Sequence, residues 1–180
     1  NLRVTNLPKH LWEYESPDPQ VVQELAQSLN MPTFVAAVLV QRGLTEPDDV
    51  EKFLNPKLDD MHDPFLLKNM DLAVNRIRDA FLRQEGILVC GDYDVDGITS
   101  VALLKRALPG NGAEIHTYLP NRLSEGYGFH EYSVNYARDL GAKLMITVDC
   151  GITSRDTVEY AKQFGIETII TDHHEQNGPL

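Results

Sequence analysis

The chain holds only two cysteines, Cys90 and Cys150, in 180 residues. That excludes a disulfide framework and predicts reduced thiols in a cytoplasmic protein. Long apolar runs are missing too. The longest candidate, Phe34 to Val40, stops at Gln41-Arg42-Gly43, well short of the roughly 20 residues that span a bilayer, so no membrane partner is expected. Asn1-Leu2-Arg3 opens no signal-peptide pattern and the first residue is not Met; the expectation is a piece excised from a longer chain. Basic residues are scarce, with 16 Lys and Arg against 27 Asp and Glu and a net charge of −11. Taken alone, this balance argues against a nucleic-acid binder. Neither G-x-G-x-x-G nor G-x-x-x-x-G-K-[ST] occurs, which removes dinucleotide-binding and P-loop kinase readings.

What is present suits a globular protein, with 42% hydrophobic and 24% charged residues and enough length for one solid core or two small ones. Residues 1–84 read as a helical, loop-rich N-terminal region. Asp18-Pro19 opens a helix through Val22, Leu25, Ala26 and Leu29. Asn30-Met31-Pro32 restarts the pattern, and Gly43 ends it. Thr45-Glu46-Pro47-Asp48 resembles a capping box before Val50, Phe53 and Leu54. Residues 55–70 read as irregular, and Asp71 is expected to cap a helix carrying Val74, Ile77 and Phe81. From Glu85 the rhythm becomes βαβα. Strands are expected at 87–91, 114–118, 144–148 and 167–171, with helices near 98–108, 131–140 and 154–164. Pro109-Gly110, Gly141 and Gly165 are the stops. This predicts an α/β fold with a parallel sheet flanked by helices over 85–180.

Three polar clusters fall just where predicted strands end. Gly91-Asp92-Tyr93-Asp94-Val95-Asp96-Gly97 follows Ile87-Leu88-Val89-Cys90; Asp149 follows Leu144 to Val148; Asp172-His173-His174 follows Thr168 to Thr171. Parallel sheets place their ligand crevice outside the carboxyl ends of the strands, so the clusters are expected to meet. Gathered carboxylates and imidazoles repel one another unless metal ions hold them. In an extended segment Asp92, Asp94 and Asp96 would share a face, with alternate side chains about 6.6 Å apart. Catalytic metal pairs sit about 3.5–4 Å apart, so carboxylates at that spacing can flank and link two ions. The alternative is a solvated acidic turn or a helix cap. An EF-hand is excluded, because it needs a Glu at loop position 12 and flanking helices.

Asp149 is a bridging candidate, since Ser154 can cap the helix that follows. Of His173 and His174, whose side chains point different ways, one is expected to ligate and the other to face the substrate, with Asp172 orienting its neighbours. Arg122, in the loop Pro120 to Gly128, can bind phosphate bidentately, and Tyr127, set between two glycines, can stack on a base. His10, His62, His116 and His130 receive no role. Cys90 and Cys150 read as small apolar filler rather than soft-metal ligands. Residues 85–180 hold 7 Lys and Arg against 14 Asp and Glu. Two divalent ions would offset most of that excess, although no basic track for a DNA groove is visible.

Asp94-Val95-Asp96-Gly97, Asp149 and Asp172-His173-His174 resemble the DHH phosphoesterase superfamily. The string Gly91 to Ser100, the loop Pro120-Asn121-Arg122 to Gly126-Tyr127-Gly128, and Val148-Asp149-Cys150-Gly151 resemble its branch of single-strand-specific DNA exonucleases. So do Arg42-Gly43, Phe53-Leu54-Asn55-Pro56, Asp63-Pro64 and Asn69-Met70, so the resemblance covers nearly the whole chain. It implies two Mn²⁺ or Mg²⁺ ions and phosphodiester hydrolysis from the 5′ end of single-stranded DNA, in recombination and repair. It implies Asp94, Asp96, Asp149 and His173 as metal ligands, Asp92 as a further one, and Asp149 as the bridge. His174 would contact the scissile phosphate or assist the leaving group. The family's domain continues past the motif, with a further Asp ligand and C-terminal domains that close the cleft. The expectation is that this piece alone is inactive or weak, and that those domains of the same chain, and repair or replication proteins, are its partners. Two rivals remain. One is a relative acting on short RNA, a cyclic dinucleotide or another small phosphate; Cys90-Gly91-Asp92-Tyr93 lacks the His those relatives carry. The other is a non-catalytic replication scaffold, which typically loses ligands that are present here.

Overall fold

The computed structural model describes residues 15–108 and 112–176. They form two compact units that divide between Asp63 and Pro64. His10 and the expected helix stop at Pro109-Gly110 lie outside the described residues.

The first unit packs three helices, α1 (Pro19–Ser28), α2 (Thr33–Gln41) and α3 (Pro47–Leu54). Asp18 caps α1 by accepting the Gln20 N–H at 2.8 Å, and Pro19 occupies the first turn. Val22, Leu25 and Ala26 of α1 meet Ala36 and Leu39 of α2 and Val50 of α3 in one buried cluster. The expected capping box at Thr45 does not form. Glu46 stands at the N-cap with no side-chain bond; Pro47 sets the first helical φ, and Asp48 and Asp49 face the positive helix end.

Two short 3₁₀ turns, Leu58–Asp60 and Pro64–Leu66, punctuate the connection to α4 (Met70–Leu82). Asp71 does not cap α4 as expected. Asn69, with φ of 61°, takes that position, and Asp71 lies inside the first turn, where its charge still suits the helix dipole. The second unit then runs β1 (Ile87–Gly91), α5 (Val95–Ala107), β2 (Ile115–Tyr118), α6 (Glu131–Asp139), β3 (Leu144–Val148), α7 (Arg155–Gln163) and β4 (Glu167–Thr171). All strands are parallel, in the order β2-β1-β3-β4.

Alternation along the buried strands assigns each face. Ile87, Leu144 and Ile146 pack with Ile77, Ala80 and Phe81 of α4, and Val89 and Val148 pack with Val101 of α5. Leu88, Cys90 and Met145 point the other way, toward Val134 and Ala137 of α6 and Ala161 of α7. The sequence rhythm changes at Glu85, yet α4 belongs with the sheet because its apolar stripe covers one face. Gly43, Gly141 and Gly165 follow their helices with φ of 82°, 72° and 68°, at the expected stops. Among the described residues no helix is long and apolar enough to cross a membrane.

This topology positions the site. From β1 the chain moves outward to β2, then returns to place β3 on the other flank of β1, so the strand order reverses between β1 and β3. Gly91 is in register with Val148, and Val148 with Thr171. Asp92, Asp149 and Asp172 therefore leave three neighbouring strands one residue beyond aligned ends.

Candidate metal centre

The first cluster is a bend rather than an extended run. α5 begins at Val95, earlier than its expected start near residue 98, because Asp94 caps it: Asp94 Oδ1 accepts the N–H groups of Asp96 at 3.0 Å and Gly97 at 3.1 Å. The alternation expected of Asp92, Asp94 and Asp96 is thus broken, with Asp96 in the first helical turn. The Gly97 N–H, despite some desolvation, helps hold the Asp94 carboxyl below the usual carboxylate range. The capping reading and the ligand reading coexist here, since capping commits only one of the two Asp94 oxygens.

Asp92 lies beneath this turn, fully buried, and neither carboxylate oxygen meets a hydrogen-bond partner among the described groups. A buried, unpaired carboxylate costs several kcal/mol by rough estimate unless a cation or donors compensate. Asp149 follows β3, and its N–H donates to the Thr171 carbonyl oxygen at 3.0 Å. Its backbone takes φ of 61°, and burial, then the charge of Asp94, pushes its carboxyl above the usual range. His173 Nε2 stands 3.0 Å from Asp149 Oδ1. Ligand atoms of Asp149, His173 and His174 lie within 4.8 Å of one another. Asp96 lines the same open groove as Asp149 and His173, beside Thr99 and Ser100.

Asp172 is bonded to its neighbours through both carboxylate oxygens. Its Oδ2 accepts the Ile152 N–H at 2.9 Å, and its Oδ1 accepts the His174 backbone N–H at 3.1 Å and stands 2.7 Å from His174 Nδ1. Burial alone would raise this carboxyl; the Ile152 and His174 bonds outweigh it and hold it below the usual range. The His174 imidazole is raised in turn, first by its bond to Asp172. Its other nitrogen, Nε2, lies 3.1 Å from the Tyr127 hydroxyl. Both nitrogens of His174 thus have protein partners, which leaves His173, on Asp149, the better placed of the two to ligate.

Arg122 lies 5.3 Å above the Tyr93 ring and pairs with no carboxylate among the described residues. Tyr127 meets the same ring edge-on at 6.2 Å. Tyr93 is a site residue the sequence reading passed over, although its place between Asp92 and Asp94 was the available signal. His130 was given no role, yet its Nε2 stands 2.6 Å from the Tyr127 carbonyl oxygen. Cys90 and Cys150 are buried in the apolar cluster under the site; burial pushes the Cys90 thiol up and the Cys150 thiol up to about 12. Both behave as filler.

Residues 86–180 match the family model described as DHH family, N-terminal domain. The chain is 40% identical to the single-stranded-DNA-specific exonuclease RecJ of Bacillus subtilis (strain 168) over 172 residues, covering 96% of the chain and 22% of the relative. It is 36% identical to the protein of the same description from Escherichia coli (strain K12) over 145 residues, covering 80% and 24%. The chain therefore spans about a quarter of the length of these relatives. Among solved structures it resembles RecJ in complex with Mn²⁺ from Thermus thermophilus, with a TM-score of 0.64 and 29% identity over 92% of the chain and 23% of that one. An exonuclease RecJ bound to manganese matches with a TM-score of 0.58 and 38% identity over 63% of the chain and 29% of that one.

Proposed function

Because the chain belongs to the DHH family, we propose that it supplies most of a two-metal phosphodiesterase site in a 5′-to-3′ exonuclease acting on single-stranded DNA in recombination and repair. The observation that carries this reading is the convergence of three aligned strand ends on one point, with a buried, unpaired Asp92 carboxylate at its base. The residues fit the ions the relatives hold. Carboxylate oxygens, the majority of the donors here, are what Mn²⁺ and Mg²⁺ accept, and the mutual repulsion of Asp94 and Asp149 calls for a cation between them.

Asp92, Asp94, Asp96, Asp149 and His173 would hold the two ions, with Asp149 shared. When bound, such a pair polarises a phosphoryl oxygen and lowers the pKa of water. The chain's own groups do the positioning. Asp172 fixes the ring of His174, which faces the scissile phosphate. Arg122, whose fork is free of carboxylate partners among the described residues, binds a phosphate of the strand. Tyr127 and Tyr93 offer ring faces and edges to bases. With 16 Lys and Arg against 27 Asp and Glu, these residues would hold only part of a DNA track.

The test uses the full-length protein with Mn²⁺ on 3′-labelled single-stranded DNA, beside short RNA, a cyclic dinucleotide and pyrophosphate, with Asp149→Asn as control. Stepwise loss of nucleotides from the DNA 5′ end, absent in the control, is the expected result. Turnover of only a small substrate would keep the site and refute the substrate. No turnover of any substrate would refute the enzymatic reading and favour a scaffold.

A further inference from the structure

We propose that Tyr127 is a positioning residue whose hydroxyl, together with Asp172, clamps the His174 imidazole at both nitrogens and turns it toward the metal centre. This rests on the reading of His174 as the group that meets the scissile phosphate.

The clamp is needed because His174 is poorly restrained otherwise. Its side chain is 46% exposed and lies beyond the end of β4, outside any helix or strand. One bond, Nδ1 to Asp172 Oδ1 at 2.7 Å, leaves the ring free to pivot about that contact. A second bond, Nε2 to the Tyr127 hydroxyl at 3.1 Å, removes the pivot. The proton arrangement follows from the partners. Ionised Asp172 only accepts, so Nδ1 carries hydrogen; in the neutral ring Nε2 is then the acceptor and the tyrosine hydroxyl donates. The ring is then held in one orientation and one tautomer before any substrate arrives.

The loop is built to deliver that hydroxyl. Gly126 and Gly128 on either side of Tyr127 have φ of +80° and +102°, backbone that a side chain would strain. His130 Nε2 holds the Tyr127 carbonyl oxygen at 2.6 Å. Glu125 ties the stem, taking the Tyr118 hydroxyl at 2.6 Å and the Asn121 N–H at 3.1 Å. Tyr93 supports the Tyr127 ring edge-on. A tyrosine present only to stack on a base needs its ring alone. Here the hydroxyl is the atom that reaches His174, and the two roles separate in Tyr127→Phe.

The experiment compares the full-length wild type with Tyr127→Phe and Tyr127→Leu in two ways. Steady-state kinetics on single-stranded DNA are expected to show kcat about tenfold lower in Tyr127→Phe, the effect of roughly one hydrogen bond, with KM nearly unchanged and an unaltered unfolding midpoint. In ¹⁵N-histidine-labelled protein with Mg²⁺, the His174 Nε2 resonance, assigned by its loss in His174→Asn, is expected to move in Tyr127→Phe. Wild-type kcat and an unmoved Nε2 resonance in Tyr127→Phe, with KM raised only in Tyr127→Leu, would overturn the clamp in favour of base stacking. Failure of the wild type to cleave any phosphodiester would sink the proposed function separately, and the resonance would still decide the clamp.

Discussion

A Cβ on Gly97 would stand 2.4 Å from the carbonyl oxygen of Asp92 and 2.5 Å from its nitrogen. Only glycine lets the first turn of α5 close against the end of β1, and that closeness sets Asp94 and Asp96 above the buried Asp92. Backbone is the obstacle, so nothing flexible can yield. Gly97→Ala is therefore expected to push the start of α5 away, at about 1–3 kcal/mol for overpacking. That corresponds to a Tm lower by roughly 2–12 °C in a chain of this size. Calorimetric titration with Mn²⁺ should show weakened binding beside the lower Tm. A wild-type Tm with wild-type affinity would remove Gly97 from this role.

Asp149 should trade stability for function. Folding pushes its carboxyl upward, through burial first and the Asp94 charge second. An acid raised in this way favours folding only while protonated; that contribution is present below its unfolded pKa, about 3.9, and is lost as pH rises through the folded value. At pH 7, in chelator, Asp149→Asn is thus expected to melt above the wild type, with the gap closing toward pH 4. Adding Mn²⁺ should raise the Tm of the wild type and leave the variant nearly unmoved. A chelated variant less stable than wild type at pH 7 would show that Asp149 is already compensated by His173.

The strands and the three polar clusters were legible because a parallel sheet buried on both faces writes continuous apolar runs, and because an acidic residue stands at the position after each run. Element starts were less legible. Asp71 and Thr45 look like caps by composition, but Asn69 in a left-handed conformation and Pro47 with its fixed φ set those helix starts instead. For Asp94 a helix cap stood only as the alternative to a ligand, and its capping bonds drew α5 back to Val95, which broke the alternation with Asp96. Tyr93 went unread because its contacts with Arg122 and Tyr127 are long-range and no local pattern records them, while His130 bonds the Tyr127 carbonyl only three residues away, through a loop shape that its residue types do not spell out.

The Asp172–His174 pair gives a pH window. The Asp172 carboxyl is held below its ordinary value, so its contribution is present above about pH 3.9, its unfolded pKa, and fades as pH falls through the folded value. The His174 imidazole is held above its ordinary value, so its contribution is full below about pH 6.5 and fades as pH rises through the folded value. Between those limits the pair stabilises most. In chelator at pH 5–6, Asp172→Asn is expected to lose about 1–3 kcal/mol, the range for charge-assisted hydrogen bonds, and less at pH 3. Denaturant unfolding across pH measures this, and a pH-independent loss would mean that packing, not charge, is what Asp172 supplies.

Arg122 is stationed by an aromatic face rather than by a carboxylate, which keeps its five donors available for a phosphate. Arg122→Ala is expected to raise KM for single-stranded DNA several-fold with kcat little changed, and to flatten the salt dependence of binding as one phosphate contact is lost. Arg122→Lys should not restore it, because a lysine ammonium lacks the planar fork. The sharper test is Tyr93, which touches Arg122 but carries no charge. A cation–π contact at a partly exposed site contributes about 0.5–1 kcal/mol, so Tyr93→Leu should raise KM by roughly two- to fivefold while Tyr93→Phe, which keeps the ring, should not. Equal KM values in Tyr93→Leu and wild type would mean that Arg122 finds the phosphate unaided, and that Tyr93 serves only as the edge against which Tyr127 rests.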